Sequence, residues 1–331
     1  MKAHPLSIRF ASWLLLPGLL FFAMSCNKKP VNPVPTDQWT YYKAGADKLA
    51  SNEITCMTKD EIGNIWIGTR YGFTKYDGST FTSWFERDGL IYHEITAIAV
   101  DKLGNVWLGT PYGLSKFDGH HFTNYTTENG LGYNEVYGIG VDKLNGIWVG
   151  TGHGVSVFDG SDWHYFEKQG GVSLVHNIVK AVLIDKNDHK WFGTEFGISE
   201  YYDSVWTTYL SQKAQANYIF TLSGDNNNNI WVGTLAGVLK IENGNQTSLT
   251  TADGLVYDQV EAIASDDLGN VWFGTQFGAS KYDGTTMKTY NSATGLASDW
   301  VSCILVDSQG LIWFGSNNKG ISVLQPAQPL D

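Results

Sequence analysis

Charged residues, helical patterns and positive charge are all scarce in this sequence. Charged side chains make up 17% of the 331 residues, which suits a chain of strands and turns with large buried sheet faces. After residue 25, no run of ten or more residues repeats its apolar side chains at the 3.6-residue period of a helix, which excludes a helical repeat protein. The net charge of −11 argues against nucleic acids and anionic lipid surfaces as partners.

Linear motifs of catalysis and metal binding are also missing. The sequence has no Gly-x-Ser-x-Gly element, no His-Glu-x-x-His element and no cysteine and histidine spacing typical of a metal site. We therefore predict no catalytic residue, no metal site and no cofactor from the motifs.

Tryptophan, in contrast, repeats regularly. Seven tryptophans recur at intervals of 40 to 43 residues, each in a phrase close to Ile-Trp-Val-Gly-Thr: Trp66, Trp107, Trp148, Trp191, Trp231, Trp272 and Trp313. A constant period near 40 residues indicates one supersecondary unit copied seven times.

Each unit has the pattern of four short strands. Around Trp107, apolar segments at 95–100, 106–110, 114–117 and 122–125 are separated by turns rich in Gly, Asp and Asn. This spacing is typical of antiparallel β structure, and a four-stranded unit of about 40 to 45 residues is the blade of a β-propeller. The predicted fold is therefore an all-β, seven-bladed β-propeller with four antiparallel strands per blade.

The two ends of the repeat region predict how the ring closes. The last unit stops after its third strand, at 321–324, whereas the segment Trp39-Thr-Tyr-Tyr42 precedes the first unit and matches the pattern of a fourth strand. We expect this N-terminal strand to complete the last blade, because ring closure removes an open sheet edge. The propeller then occupies residues 39–325, and residues 326–331 form a C-terminal tail.

The first 26 residues have the pattern of a lipoprotein signal. Lys2 and Arg9 precede a short apolar run at 13–24 that ends in Ala-Met-Ser-Cys26. A basic start, a short apolar core and small residues before a cleavage site predict a signal peptide over residues 1–25. The residues before Cys26 resemble the bacterial lipobox, whose cysteine is acylated, and an ordinary secreted protein is the alternative. Residues 26–38 would then form a lipidated, proline-rich tether.

The repeats resemble those of the two-component regulator propeller family. The segment Asp101-Lys-Leu-Gly-Asn-Val-Trp-Leu-Gly-Thr-Pro-Tyr-Gly-Leu114 carries the family's repeat core, and all seven units have an Asp six residues before the Trp and a Gly two residues after it. The best-known members are periplasmic sensors of hybrid histidine kinases in Bacteroidota, often responding to glycans. Because no kinase, helix-turn-helix or membrane-spanning segment is recognised after residue 26, the resemblance implies a stand-alone, lipid-anchored propeller of the envelope.

Positions that vary between units are better candidates for function than the constant Asp, Trp and Gly, which we expect to serve the blade. In a four-stranded meander, the turn between the second and third strands lies on the same face as the link to the next blade. We predict that these loops converge into a funnel that binds through aromatic, amide and carboxylate side chains. The predicted ligand-binding residues are Arg70, Tyr71, His93, Glu94, Tyr112, Glu135, His153, Phe196, Tyr218, Phe277 and Trp300.

The sequence thus favours a non-enzymatic, monomeric propeller that binds a glycan or an envelope protein and meets the membrane only through its lipid anchor. A pure protein–protein scaffold is one alternative. A lyase or hydrolase is another, because His93, His153 and His176 could meet Glu94 or Glu135 near the axis. Lys28 and Lys29 stand where acidic surface-export signals would follow Cys26, which favours the outer membrane facing the periplasm.

Two further cysteines occupy one repeat position. Cys56 and Cys303 each lie ten residues before a repeat tryptophan, where the other units have small residues. The first and last blades are neighbours in a closed ring, so we expect these cysteines near each other, close to the axis. They are candidates for a disulfide if their side-chain directions suit it, and two small buried thiols are the alternative.

Overall fold

Seven antiparallel sheets of four strands each form the blades of a ring. The structure, a computed structural model, describes residues 36–168 and 173–327. The first strand of every complete repeat contacts the first strands of the two neighbouring blades, so these seven strands surround a common axis. The predicted fold class is therefore confirmed.

The strands follow one another from the axis outwards in each blade. Strand β1 (Gln38–Tyr42) begins the described chain. Blade 1 comprises β2 (Ile54–Lys59), β3 (Ile65–Thr69), β4 (Gly72–Tyr76) and β5 (Phe81–Trp84). Blade 2 comprises β6 (Ala97–Val100), β7 (Val106–Thr110), β8 (Gly113–Phe117) and β9 (Phe122–Tyr125). Blade 3 comprises β10 (Val136–Val141), β11 (Ile147–Thr151), β12 (Gly154–Phe158) and β13 (Trp163–Phe166).

The remaining blades repeat this order. Blade 4 comprises β14 (Val179–Ile184), β15 (Lys190–Thr194), β16 (Gly197–Tyr202) and β17 (Val205–Tyr209). Blade 5 comprises β18 (Ile219–Gly224), β19 (Ile230–Thr234), β20 (Gly237–Glu242) and β21 (Asn245–Leu249). Blade 6 comprises β22 (Ala262–Ser265), β23 (Val271–Thr275), β24 (Gly278–Tyr282) and β25 (Met287–Tyr290). Blade 7 comprises β26 (Val301–Val306), β27 (Ile312–Ser316), β28 (Ile321–Gln325) and, from the N-terminal side, β1. Short 3₁₀ helices in the links between blades span Glu86–Asp88, Thr127–Asn129, Ala214–Asn217 and Thr251–Asp253.

The split blade predicted from the two ends of the repeat region is confirmed. Strand β1 pairs antiparallel with β28, and Trp39 lies opposite Leu324. Trp39 packs edge-on against Tyr290 of blade 6, and Tyr42 stacks on Trp313 with ring centroids 5.7 Å apart. These rings bury the joint between the two ends of the propeller.

The innermost strand of blade 2 starts later than predicted. The sequence pattern places its start at Ile95, but β6 begins at Ala97. The reason is that the backbone N–H of Ile95 donates to the carbonyl of Thr69 in blade 1, at 3.0 Å. Ile95 therefore belongs to the junction between the blades rather than to the sheet of blade 2.

The constant aspartate and tryptophan are joined in every blade. The indole Nε1 of each repeat tryptophan donates to the carboxylate six residues before it, at 2.9 to 3.1 Å. The same carboxylate accepts the backbone N–H four residues after it, as in Asp101 and Asn105 at 2.9 Å. The aspartate thus closes the turn between the first two strands, as its position in the sequence predicts.

The constant glycine lets neighbouring blades approach. A Cβ atom added to Gly109 would lie 2.5 Å from Cγ1 of Val136 in blade 3, closer than nonbonded carbon atoms pack. Any side chain at this position would push the blades apart. In the described part of the chain, no helix has the length and apolar character needed to cross a membrane.

Candidate functional site

The Thr-x-x-Gly element after each repeat tryptophan shapes a two-residue turn. In blade 2, Thr110 Oγ1 donates to the carbonyl of Gly113 at 2.9 Å and accepts from the N–H of Tyr112 at 3.1 Å. Gly113 has a φ of 146°, and a Cβ there would lie 2.6 Å from the carbonyl oxygen of Tyr125. The turn is therefore fixed by the repeat, whereas the two residues inside it, which we call the slot, are free to vary.

The slots and the links between blades share one face of the ring, which we call the loop face. The N–H of Arg70, in the slot of blade 1, donates to the carbonyl of Glu53 at 3.0 Å. The N–H of Gly72, next to the same slot, donates to the carbonyl of His93 at 2.7 Å. Each slot therefore lies between two links. The opposite side, which carries the Asp-closed turns, is called the turn face below.

The predicted residues of blades 1 and 2 form one cluster. Arg70 Nε lies 2.9 Å from Oε2 of Glu53, and its Nη1 lies 3.6 Å from Oε1 of Glu94. Tyr71 stacks on His93 with ring centroids 5.5 Å apart and planes 9° from parallel. Arg70 thus bridges two carboxylates at the junction of the two blades.

Four blades carry an aromatic pair at the rim of the loop face. The ring centroids lie 4.5 to 6.1 Å apart in the pairs Tyr92–Tyr112, Tyr133–His153, His176–Phe196 and Tyr257–Phe277. The second member of each pair lies in a slot, and the first precedes it by 20 residues in a link. Of these four pairs, the predicted ligand-binding residues included only the members that lie in slots. The 20-residue offset is visible in the sequence and could have identified Tyr92, Tyr133 and Tyr257.

A cavity of about 300 Å³ lies on the axis. Each blade contributes to it one residue from the same repeat position, eleven residues before the tryptophan and within or directly before the innermost strand. We call this set the axial ring. The axial ring consists of Thr55, Thr96, Tyr137, Lys180, Phe220, Glu261 and Ser302. Sequence reasoning missed this set, because the sequence pattern places the position inside the innermost strand rather than in a loop.

Glu261 is a hydrogen-bond acceptor for three side chains at the mouth of the cavity. Its Oε1 accepts from Nε2 of Gln259 at 2.7 Å and from Nε2 of Gln276 at 2.8 Å. Its Oε2 accepts from Nε1 of Trp300 at 2.9 Å. The predicted residue Trp300 is thus held across the junction between blades 6 and 7.

Lys180 occupies the corresponding place in blade 4. Its Nζ lies 3.6 Å from Oε1 of Glu195 and 3.8 Å from the ring centroid of Tyr137. Tyr218 Oη donates to the same Glu195 oxygen at 3.3 Å. Burial, followed by a hydrogen bond to Glu135, raises the pKa of Tyr137 above its ordinary value. Lys180 is therefore already paired with a carboxylate and an aromatic ring.

The residues proposed for a lyase are not brought together. Each of the three histidines lies against an aromatic ring of the rim, His93 on Tyr71, His153 on Tyr133 and His176 on Phe196. Within residues 36–168 and 173–327, no hydrogen bond or ion pair connects these histidines to Glu94 or Glu135. The same ranges contain no group of three or more His, Cys, Asp or Glu side chains placed to hold a metal ion.

The candidate disulfide is not formed, because Cys56 and Cys303 are free thiols. Their strands, β2 and β26, are neighbours as expected, but the thiols lie in different junctions. Cys303 belongs to the apolar cluster around Ile54, between blades 7 and 1, whereas Cys56 packs in the cluster around Ile95, between blades 1 and 2. A shared repeat position turns both side chains in the same direction around the ring, so they cannot face each other. Burial raises the pKa of Cys56 to about 12.

Some predictions fall outside the described residues. These are the signal peptide at 1–25, the lipidation site Cys26, most of the tether at 26–38 and residues 328–331 of the tail. They remain predictions from the sequence.

The fold and the funnel define the class of this protein as a seven-bladed β-propeller with a constant turn face and a variable loop face. Four segments of the chain, residues 48–71, 89–112, 214–236 and 295–318, match the sequence model of the two-component regulator propeller repeat. No curated protein sequence gives a significant match.

Solved structures with this fold differ in what they do. The extracellular domain of a hybrid two-component system from B. thetaiotaomicron has a TM-score of 0.75 and 20% identity, over 89% of this chain and 42% of that chain. Catalytically inactive virginiamycin B lyase from Staphylococcus aureus has a TM-score of 0.71 and 13% identity, over 87% of this chain and 99% of that chain. PorZ, a surface component of the type-IX secretion system of Porphyromonas gingivalis, has a TM-score of 0.69 and 17% identity, over 86% of this chain and 48% of that chain. This chain spans less than half the length of the first and third of these proteins. At such identities the likeness establishes the fold alone.

Proposed function

We propose that this protein is a non-enzymatic binding propeller of the bacterial envelope, whose loop face binds a glycan or an envelope protein. The observation that carries the proposal is the exposed aromatic rim of the funnel. Tyr71, Tyr112, Phe196 and Phe277 are 52 to 61% exposed, although a propeller blade has ample room to bury aromatic rings. Flat rings beside carboxylates and amides suit sugar faces or a protein segment.

The envelope location rests on the sequence before the propeller. A signal peptide over residues 1–25 and acylation of Cys26 would anchor the protein in a membrane, with the outer membrane facing the periplasm as the favoured site. The likeness to an extracellular sensor domain and to a surface component of a secretion system supports an envelope role. Replacement of Cys26 by serine should abolish incorporation of radiolabelled palmitate in cells. Labelling of the Cys26→Ser protein would contradict the anchor.

The binding function is tested by comparing the two faces. A glycan array and an envelope extract would be screened with the purified protein and two triple variants. Tyr112→Ala/Phe196→Ala/Phe277→Ala removes rim aromatics, whereas Ile62→Ser/Leu103→Ser/Leu144→Ser replaces residues of the turn face that are 79 to 90% exposed. We expect the first variant to lose binding and the second to retain it. Equal loss in both would place the binding site elsewhere.

A lyase is the second candidate function, favoured by the likeness to virginiamycin B lyase. Against it, the histidines of the loop face are engaged with aromatic rings of the rim. Incubation with quinupristin and with oligosaccharides, followed by mass spectrometry, should find no product. Turnover that disappears in His153→Ala or His176→Ala would favour the enzyme instead.

A further inference from the structure

The axial funnel has an apolar throat below a polar mouth. The position two residues after the axial ring is apolar in all seven blades, and its side chains pack largely into the junctions between blades. Its members are Met57, Ile98, Ile139, Val182, Leu222, Ile263 and Ile304, and all line the cavity. Because the side chains of this second ring are apolar, polar recognition is confined to the mouth.

The mouth carries more carboxylates than cations. The axial ring, the slots and the link residues next to the axial ring contribute five glutamates, Glu53, Glu94, Glu135, Glu195 and Glu261, against three cations, Arg70, Lys180 and Lys319. Arg70 lies between Glu53 and Glu94, and Lys180 pairs with Glu195. Arg70 and Lys180 are therefore already neutralised, whereas Lys319 is exposed in the slot of blade 7 and has no ion pair among the described residues.

Two carboxylates of the mouth are left without a cation. In the described residues, neither Glu135 nor Glu261 has an ion pair, and Glu261 accepts three neutral N–H groups. Three donors converging on one carboxylate hold its charge in a fixed position. Trp300, which supplies one of these donors, is 39% exposed, so an aromatic ring lies directly beside the unpaired charge.

The rim supplies surfaces that suit cations. Arginine and lysine are attracted to the faces of Trp and Tyr rings, and the guanidinium group of arginine also stacks on aromatic planes and bonds carboxylates at two points. The funnel already contains one example of such a contact, Lys180 over Tyr137 at 3.8 Å. The long apolar stem of an arginine or lysine could extend over the apolar throat while its charge stays at the mouth.

We infer that the funnel takes a protein segment carrying arginine or lysine side chains, which pair with Glu261 and Glu135 between the rim aromatics. This inference rests on the loop-face binding function proposed above and names the chemistry of the partner. The excess of carboxylates and the aromatic rim favour a basic segment over a neutral glycan, because glycan hydroxyls can donate to a carboxylate but cannot neutralise its charge.

The test uses three probes on the full mature protein. A fluorescein-labelled Gly-Arg-Gly-Arg-Gly-Arg peptide is the basic probe, its Gly-Glu counterpart is the acidic probe, and maltohexaose is the neutral glycan. We expect fluorescence anisotropy to show binding of the basic probe, and we expect its affinity to fall as ionic strength rises. Glu261→Gln and Glu135→Gln should each lower the affinity for the basic probe about tenfold, which corresponds to the loss of one charge-assisted hydrogen bond.

Glu242→Gln is the matched control, because Glu242 ends β20 on the turn face and pairs with Lys240 at 3.1 Å. This variant should bind the basic probe with wild-type affinity. Urea unfolding of each variant checks that the ring is intact. If Glu261→Gln does not fold, the affinity of Glu135→Gln and the salt dependence of wild-type binding test the inference. No binding of the basic probe, equal binding of the acidic probe, or wild-type affinity in both glutamine variants would overturn the inference. Maltohexaose binding that Tyr112→Ala weakens, with no binding of the basic probe, would overturn it while leaving the loop-face function intact.

Discussion

The turn face and the loop face of this ring are built by opposite rules. On the turn face, every blade repeats the same aspartate–tryptophan hydrogen bond. In five blades a lysine also lies over a repeat tryptophan, with Nζ 5.4 to 5.7 Å from the ring centroid. On the loop face, slots built on the same Thr-x-x-Gly turn hold Arg-Tyr, Pro-Tyr, Gly-His or Glu-Phe. The comparison separates residues that make a blade from residues that give each blade its own surface.

The turn face also ties neighbouring blades together. Lys102 Nζ donates to the carbonyl of Lys143 at 2.6 Å, and the N–H of Lys143 donates to Oδ1 of Asp188 at 2.9 Å. Lysine substitutions on this face would therefore disturb junctions between blades 2, 3 and 4. Leu103, which is 79% exposed, is the better control for binding experiments.

The largest expected effect comes from removing the strand that supports both faces. Deletion of Trp39–Tyr42 leaves β28 as an open edge and removes two rings that pack at the joint. Trp39 and Tyr42 should each contribute about 2–3 kcal/mol through buried aromatic area, so we expect a loss of roughly 5 kcal/mol in the free energy of unfolding, measured in urea. Deletion of residues 27–36 is the control and should have no effect. Unchanged stability in the Trp39–Tyr42 deletion would contradict the role of β1 in closing the ring.

The next effect separates carboxylates of the two faces. Asp225, on the turn face, accepts from Trp231 Nε1, Asn229 Nδ2 and two backbone N–H groups. Asp258, on the loop face, accepts the backbone N–H of Thr251 at 2.7 Å and the hydroxyl of the same residue at 3.5 Å. A buried donor left without a partner costs about 1–3 kcal/mol, whereas the exposed Thr251 can donate to water instead. We therefore expect Asp225→Ala to lose about 3 kcal/mol and Asp258→Ala no more than about 1 kcal/mol. Equal losses in urea unfolding would remove the distinction between the faces.

The sequence predicts the turn face better than the loop face, for a physical reason. The backbone requirements of a blade recur seven times, so the internal copies identify Asp101, Trp107 and Gly109 as structural. The strand pattern also locates the split blade, because Trp39 matches a fourth strand. The pairing of side chains across junctions is different. It depends on which way each strand residue points, and a local pattern does not contain that information.

Two positions illustrate this limit. Glu261 lies inside a strand pattern and looks structural in the sequence, yet it faces the axis and holds Trp300. Cys56 and Cys303 share a repeat position and lie on adjacent strands, yet the rotation of the ring sends them into different junctions. Symmetry between copies predicted their proximity, and the same symmetry keeps their side chains apart.

Acid should weaken the contribution that Asp225 makes to stability. Burial raises the pKa of Asp225, but hydrogen bonds from Trp231 and Asn229 outweigh this, and the pKa is lowered overall; Asp60 behaves in the same way. A carboxyl whose folded pKa is below its unfolded value of about 3.9 stabilises the protein above that pH and loses the contribution as pH falls through the folded pKa. The difference in unfolding free energy between the wild type and Asp225→Asn should therefore be largest near neutral pH and shrink below about pH 4. A difference that stays constant from pH 7 to pH 3 in urea unfolding would contradict this.

The smallest expected effect on stability is at the rim of the loop face. Tyr71 and Tyr112 are 52% and 59% exposed and stack mainly on one neighbouring ring each, and Trp300 is held by one hydrogen bond to Glu261. Exposed substitutions of this kind usually change stability by no more than about 0.5 kcal/mol. We therefore expect Tyr71→Ala, Tyr112→Ala and Trp300→Ala to unfold within about 1 kcal/mol of the wild type, while each weakens binding at the loop face. Leu103→Ser should change neither property. If the aromatic substitutions cost as much stability as Asp225→Ala, the rim would be part of the scaffold, and the two faces would not be built by different rules.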